Sequence, residues 1–429
     1  MIGRWEARYD LFLKAYLVME LGCIYFLFNY ILGISFTERA GESLLFQASW
    51  LLLYGLLIIH IARDFRRFAS LLSRSYLFLT FLVLAITSTI HMGSESGALI
   101  KFAMYLATIA FSLWLAISCT VDRLIETLFR IGAVVLVLHT LLFPVIGSAI
   151  DYDPLHRATI LGTEAYAGVF GHKNQAGTFF GLMATISLVR LLTGPGPQFG
   201  WSALLMGLHL LALAETGAVG PLISVTATLV VILGVFLVVS GRRGVASAYW
   251  LALGFFSLMA FSLPSEILFG VVGRTEGLTG RSFLWSVWPH FFWQQPYLGY
   301  GFSGFFSGVG NAPSNELTQM APWNHQYGSF ENSYLEALIE FGLLGGSVFV
   351  MIAIRALWNS LQFIFQSTTR YRLAPFGLLT FILISSFNDD DLLLHNYFAC
   401  VVLFSCYFGV EERGAEAIPF GAQLTIHHV

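Results

Sequence analysis

Runs of about 20 apolar residues recur from one end of this sequence to the other, and they constrain the fold more than any other feature. A helix needs about 20 such residues to cross the hydrocarbon core of a bilayer. Of the 429 residues, 57% are hydrophobic and 11% are charged, too apolar a mixture for a domain whose surface faces water. The sequence therefore predicts an all-α polytopic membrane protein, with residues 1–429 forming a single transmembrane domain.

About twelve transmembrane helices fit the apolar pattern. They are predicted at about 13–33, 43–62, 75–92, 98–119, 128–149, 174–193, 201–216, 219–240, 245–264, 337–358, 373–388 and 392–410. Lysine and arginine favour cytoplasmic loops, so both termini are predicted inside. The basic residues left outside or near the outer face are then few: Arg39, Lys101, Arg157, Lys173, Arg274 and Arg281.

Two outward segments are longer than a connection between helices requires, at about 150–173 and 265–336. A long loop on a membrane protein suggests function. Within the second, the segment FLWSVWPHFFWQQPYLGYGFSGFF is aromatic and contains prolines and glycines. This composition is typical of a helix in the membrane interface, where it would act either as a simple lid or as part of a site.

Arg274 and Arg281 are the most unusual cations in this loop. A guanidinium near the membrane is costly without an anionic partner, and its planar fork matches a phosphate group. The pair therefore predicts a phosphate-binding site. The alternative is contact with lipid headgroups or with Glu276.

The segment GVFGHKNQAG places His172, Lys173 and Asn174 where the chain re-enters the membrane. Asn174 is predicted to cap the sixth span, and the helix start together with Lys173 would attract an anion. The alternative is a capped helix with one lysine reaching towards the interface.

The segment WNHQYGSFENSYLEALIEFGLLGG ends the long loop and starts the tenth span. Ser333 and Glu336 have the spacing of a capping box. Just before them stand His325, Glu331 and Asn332, polar groups well placed to take a proton from a hydroxyl. The alternative is a merely polar entrance to the helix.

The segment NDDDLLLHN, with Asp389, Asp390, Asp391 and His395, is predicted to be a solvated turn. Consecutive carboxylates rarely point at one ion, so a cation site is the weaker interpretation. The sequence lacks a P-loop, a dinucleotide fingerprint, a serine elbow and a zinc-protease motif. ATP-driven transport by this chain, a bound cofactor and a nucleic-acid partner are therefore not expected.

Four segments in order, GVFGHKNQAG, VGRTEGLTGRSFLW, PYLGYGF and ENSYLEALIEFGLLG, resemble the signature of the O-antigen ligase and polymerase superfamily. The variant nearest to this chain is the exopolysaccharide polymerase of the succinoglycan type. The resemblance implies an all-helical fold like that of the polyprenol-dependent GT-C-type glycosyltransferases. It also implies a multi-pass protein of the bacterial inner membrane, with its active site facing the periplasm.

The resemblance also implies roles for individual residues. Arg281 corresponds to the loop arginine thought to hold the donor diphosphate, and Arg274 to a frequent companion. Many members have His-Asn where this chain has Glu331-Asn332, so either Glu331 or His325 is expected to act as the base. The implied partners are a glycan on undecaprenyl diphosphate as donor, a glycan acceptor, the lipid bilayer and other polysaccharide assembly proteins.

Polymerisation of lipid-linked repeat units is the function that this resemblance favours. A ligase that passes the finished glycan to a lipid or protein acceptor is one alternative. A transporter of a lipid-linked glycan is another, but transporters carry their charges within broken spans near the bilayer midplane. Since the unusual cations here lie in outward loops, an enzyme is the preferred interpretation.

Overall fold

The structure, a computed structural model, describes residues 2–22, 44–91, 96–142, 165–170, 172–194, 196–261, 281–306, 312–321, 326–394 and 396–416. The described residues are helical apart from turns and loops, with Tyr166 in an isolated bridge. The helices are α1 (Ile2–Glu20), α2 (Leu44–Arg63), α3 (Phe65–Arg74), α4 (Tyr76–His91), α5 (Ser96–Ser118), α6 (Val121–Leu142), α7 (Lys173–Thr193), α8 (Gly196–Thr216), α9 (Val219–Val239), α10 (Arg243–Phe261), α11 (Arg281–Phe292), α12 (Ala312–Met320), α13 (Ser333–Gln366), α14 (Ala374–Ser385) and α15 (Phe398–Glu416).

Six of these helices are long and apolar enough to cross a membrane, namely α5 to α9 and α13. A seventh span results if α2 and α3 count as one, although the chain bends by 88° between them. The shorter apolar helices α4, α14 and α15 lie where three of the twelve spans were predicted. An all-helical membrane protein is thus confirmed, while the number twelve stays a prediction.

Helix α7 lies at the centre of the bundle. Of its apolar window, 83% is buried against protein, whereas only 28% of α8 and of α9 is buried. It packs against α6, α8, α9 and α14. Large apolar side chains such as Leu204, Leu233 and Leu251 are exposed on the surrounding helices, as expected for surfaces that face lipid.

The long helix α13 is broken at Gly342, which has φ of 64° and a non-helical ψ. The segment 296–301 inserts its backbone at the break: Tyr300 N–H donates to the Ile339 carbonyl at 2.9 Å, and Leu343 N–H donates to the Pro296 carbonyl at 2.7 Å. A Cβ at Gly342 would overlap the Tyr297 carbonyl. Both the positive φ and this close approach require glycine. The motif PYLGYGF therefore separates a short initial helix, 333–341, from the span that follows.

The predicted long loop contains helices of its own in its described part. Helix α11 and the segment before α13 share an aromatic core, separate from the main core: Leu284, Phe291, Phe292, Tyr300, Phe305, Leu317, Phe330 and Ile339. Trp285 Nε1–H donates to the Phe330 carbonyl at 3.1 Å, and Trp288 Nε1–H donates to the Leu335 carbonyl at 3.0 Å. These bonds fix α11 beside the start of α13.

A candidate anion site at the start of helix 13

An ion pair joins Arg281, the first residue of α11, to Glu331, two residues before α13. The Arg281 Nη2 to Glu331 Oε2 distance is 2.8 Å, and the arginine side chain is 13% exposed against 39% for the glutamate. The tryptophan hydrogen bonds described above bring these two helix starts together. Arg281 therefore has an anionic partner on one side and no hydrogen bond from Nε.

Glu331 has a left-handed backbone, with φ of 53°. This conformation is uncommon outside glycine, and it often marks functional sites. The Glu331 N–H donates to Ser329 Oγ at 3.2 Å. The turn thus directs the Glu331 side chain away from α13 and towards Arg281.

The helix cap at this position differs from the predicted capping box. Asn332, not Ser333, is the cap: its Oδ1 accepts from Tyr334 N–H at 3.0 Å and from Leu335 N–H at 3.1 Å. Glu336 Oε2 accepts from Phe330 N–H at 2.9 Å, six residues back, whereas a capping box spans three residues. The start of α13 was predicted, but the capping-box assignment was wrong because an asparagine precedes the serine and satisfies the free amides first.

The aspartate segment after α14 packs against the same helix start. Ser333 N–H donates to the Asp389 carbonyl at 3.0 Å, and Ser333 Oγ–H donates to that carbonyl at 2.9 Å. Leu392 N–H in turn donates to Ser333 Oγ at 3.2 Å. The predicted solvated turn is therefore wrong: Asp391 is only 2% exposed, and Asp389 and Asp390 are half-buried.

Burial dominates the electrostatics of these aspartates. It raises the pKa of Asp390 to about 7, with Glu336, Asp391 and Glu331 adding to the effect. Burial and the neighbouring Asp390 also raise the pKa of Asp389 well above its ordinary value, although the Arg281 charge opposes the rise. A carboxyl group whose pKa lies near 7 can accept or hold a proton at physiological pH.

Helix α7 contributes its first turn to the site. His172 is the cap, because its Nδ1 accepts from Asn174 N–H at 3.2 Å. The prediction of Asn174 as cap was therefore wrong, and Lys173 is buried rather than extended towards water. Asn174 instead lines a cavity of about 20 Å³, room for roughly one water molecule, with these residues: Val219, Gly220, Pro221, Arg281, Ser385, Asn388 and Asp389.

The structure therefore brings together Arg281, Glu331, Asn332 and Asn174, and it places His172 and Lys173 in the adjoining turn of α7. Arg274 and His325 lie outside the described residues. Sequence reasoning missed Asp389 and Asp390 as members of the site. Their position directly after a buried apolar helix was the available signal, because a polar run at such a point lies beside other helix ends.

Chemically, the arrangement offers a guanidinium for an anion, several carboxyl groups for a proton, and an amide for a hydrogen bond. The fold and site together define a polytopic helical membrane protein with a polar site at one end of its central helix.

Comparison with known proteins adds the family. Residues 202–350 match the family model described as O-Antigen ligase. This range runs from α8 into α13 and includes Arg281 and Glu331. The chain is also 25% identical over 383 residues to the "Exopolysaccharide production protein ExoQ" of Rhizobium meliloti (strain 1021), over 84% of this chain and 83% of that protein. The resemblance noted in the sequence is thus confirmed as a similarity to the O-antigen ligase family over residues 202–350 and to an exopolysaccharide production protein over most of the chain. The two matches support a membrane enzyme of polysaccharide assembly.

Proposed function

We propose that this protein is a glycosyltransferase that polymerises undecaprenyl-diphosphate-linked oligosaccharides into a surface polysaccharide. The observation that carries the proposal is the Arg281–Glu331 pair, 2.8 Å apart, at the start of two helices inside the family-matched range. The name of the relative, an exopolysaccharide production protein, favours polymerisation.

In the proposed reaction, the acceptor hydroxyl oxygen forms a bond to the anomeric carbon of the donor. The bond between that carbon and the diphosphate oxygen breaks, and the diphosphate leaves with the electron pair. Arg281, with Arg274 and Lys173, stabilises the charge that develops on the leaving group. Asn174, His172 and Asn332 line the substrate position.

The proton of the acceptor hydroxyl goes to a base, for which the carboxylate of Glu331 is our first choice and the imidazole of His325 the alternative. A base must lie within hydrogen-bond reach of that proton, and Glu331 lies beside the guanidinium that would hold the leaving group. Since diphosphate is already a good leaving group, the scheme requires neither a metal nor a cofactor.

The proposed setting is the bacterial inner membrane, with twelve spans, both termini in the cytoplasm and the site facing the periplasm. The charge distribution supports this orientation. Labelling of single cysteines at positions 274 and 281 with an impermeant reagent tests it. Labelling from the cytoplasmic side alone would contradict the proposal.

Incubation of the purified protein with an undecaprenyl-diphosphate oligosaccharide, with and without chelator, tests the reaction itself. We expect products that lengthen by whole repeat units, in chelator as well. Products that stay one unit long would contradict polymerisation.

A ligase is the second candidate, because the matched family is described as O-Antigen ligase. The two activities separate in cells that lack the gene. Loss of a polymerase leaves single repeat units, whereas loss of a ligase leaves long chains that are not attached to their acceptor.

A further inference from the structure

Several carboxyl groups surround the guanidinium of Arg281. Glu331 pairs with it directly, and Asp389 interacts with both charges. Within the described part of the chain, Glu336 on α13 and Asp390 and Asp391 after α14 also interact with Glu331. Asp390 in turn interacts with Glu340 on α13 and with Tyr397 before α15. A donor diphosphate therefore approaches a site in which negative groups already compete for the arginine.

Glu331 occupies the part of Arg281 that an incoming phosphate needs. A carboxylate and a phosphate bind the same fork of guanidinium N–H donors. The cavity that Arg281 lines together with Asn174 and Asp389, to which Glu331 does not contribute, has room for roughly one water molecule, too little for a diphosphate. We therefore assign the donor to the Nη2 side of the guanidinium, which Glu331 contacts. Glu331 also has the less buried side chain of the pair, and its left-handed backbone is strained. It is thus the partner that can move.

We propose that Glu331 holds the diphosphate position on Arg281 until the donor displaces it, so that the base becomes available only in the loaded site. This inference rests on the proposed function. The exchange replaces one anionic partner of Arg281 by another and leaves Glu331 as a free carboxylate beside Asp389 and Asp390. The base is then free only when a donor is present to react.

Once the Glu331 carboxylate no longer pairs with Arg281, it repels the ionised aspartates more strongly. This repulsion favours uptake of a proton from solvent. Asp390 is the acceptor that we assign, because burial and neighbouring carboxyl groups already raise its pKa to about 7. Protonation of Asp390 lowers the negative charge around Glu331, whose carboxylate remains the group that takes the acceptor proton. Donor binding should therefore be coupled to proton uptake, and it should weaken as the pH rises above 7, because the proton must then be taken from a more dilute solution.

Calorimetric titration of the purified full-length protein with farnesyl diphosphate tests this exchange. Titrations at pH 8 in two buffers of different ionisation enthalpy count the protons taken up. Wild-type protein should take up a fraction of a proton that approaches one per diphosphate. Glu331→Gln should bind about tenfold more tightly, because the competing charge is gone, and should lose most of the proton uptake. Asp390→Asn should also lose it.

The matched control is Glu316→Gln, which makes the same change on an exposed carboxylate of α12 that pairs with His290 at 2.8 Å. It should titrate as wild type does. Arg281→Ala identifies which proposal fails. If Arg281→Ala binds as well as wild type, the diphosphate site and the proposed function are both rejected. If Arg281→Ala binds poorly but Glu331→Gln matches wild type, only the exchange is rejected.

A second measurement on wild-type protein covers the case in which Glu331→Gln does not fold. Carbodiimide coupling of glycine ethyl ester, read by mass spectrometry, reports how accessible the Glu331 carboxyl is. Farnesyl diphosphate should increase labelling of Glu331 and leave labelling of Glu316 unchanged. Protection of Glu331 by the ligand would overturn the proposal.

Discussion

Two arginines at opposite ends of helix α7 have opposite surroundings. Arg190, in the last turn, is 4% exposed and pairs with Glu126. Its Nη1–H donates to the Tyr371 hydroxyl at 3.1 Å, its Nη2–H donates to Gln198 Oε1 at 3.2 Å, and its Cζ lies 3.8 Å from the centre of the Phe129 ring. About 25 Å away along α7, the first turn lies beside Arg281, whose guanidinium contacts one carboxylate that is still 39% exposed.

The difference distinguishes a structural arginine from one that can exchange its partner. At the Arg190 end, partners from α6, from α8 and from the segment before α14 surround the guanidinium, and moving any of them would uncover buried charge. At the Arg281 end, one partner is accessible and further carboxyl groups stand nearby. We therefore expect Arg190 to matter for stability and Arg281 for chemistry.

The largest effect on folding should come from Arg190→Ala. It breaks the ion pair with Glu126, which is 30% exposed, and the bonds to Tyr371 and Gln198. Hydrogen bonds to a charged group contribute about 1.5–3 kcal/mol each to the free energy of unfolding. Unfolding in detergent, followed by tryptophan fluorescence, measures it. Arg243→Ala, at an exposed position at the start of α10, is the control and should change stability by less than about 0.5 kcal/mol. Equal stability of the two variants would contradict a structural role for Arg190.

Arg281→Ala should lower the rate of polymer synthesis strongly and the stability only slightly. Loss of a preorganised donor at a developing negative charge typically lowers the rate about 10²–10³-fold, while an accessible ion pair contributes only about 1 kcal/mol to stability. Polymer synthesis and unfolding are measured on the same preparation. Arg281→Lys keeps the charge without the planar fork, so it should recover only part of the activity. Full-length polymer from the alanine variant would refute the assignment.

Gly342→Ala tests whether the Arg281 end depends on the break in α13. The new Cβ meets the Tyr297 carbonyl, and the positive φ is unfavourable for alanine, so we expect a loss of about 1–3 kcal/mol together with reduced activity. Gly200→Ala, on α8 with nothing near the added methyl group, should be neutral or slightly stabilising. An unchanged Gly342→Ala enzyme would show that the break is not needed to position Glu331.

The smallest effect should follow Asn332→Ala, which removes the cap of α13. Loss of such a cap typically costs about 1 kcal/mol, and the bond from Asn332 Nδ2–H to the Phe387 carbonyl is lost as well. Asn332→Asp keeps the capping oxygen and should retain most of the stability. Asn315→Ala, at an exposed site on α12, controls for the substitution itself. A loss as large as that of Arg190→Ala would mean that both helix ends are structural.

Much of this organisation could be predicted from the sequence. The apolar runs gave helices near the predicted positions, since length and hydrophobicity are local properties of a chain. Arg281 and Glu331 were predicted as site residues from their chemistry and from the family resemblance. The caps at His172 and Asn332 were misassigned by one or two residues, because several neighbouring side chains could satisfy the same amides and local spacing does not choose between them.

The sequence by itself determined that the chain is helical and belongs in a membrane, and which of its cations need an anion, because hydrophobicity and charge act residue by residue. Only the tertiary structure decided that Glu331 is the partner of Arg281 and that Asp389 and Asp390 lie beside them. These groups are separated by about 50 residues or more along the chain, and only helix packing brings them into contact. The raised pKa of Asp390 likewise depends on burial, which no local pattern contains.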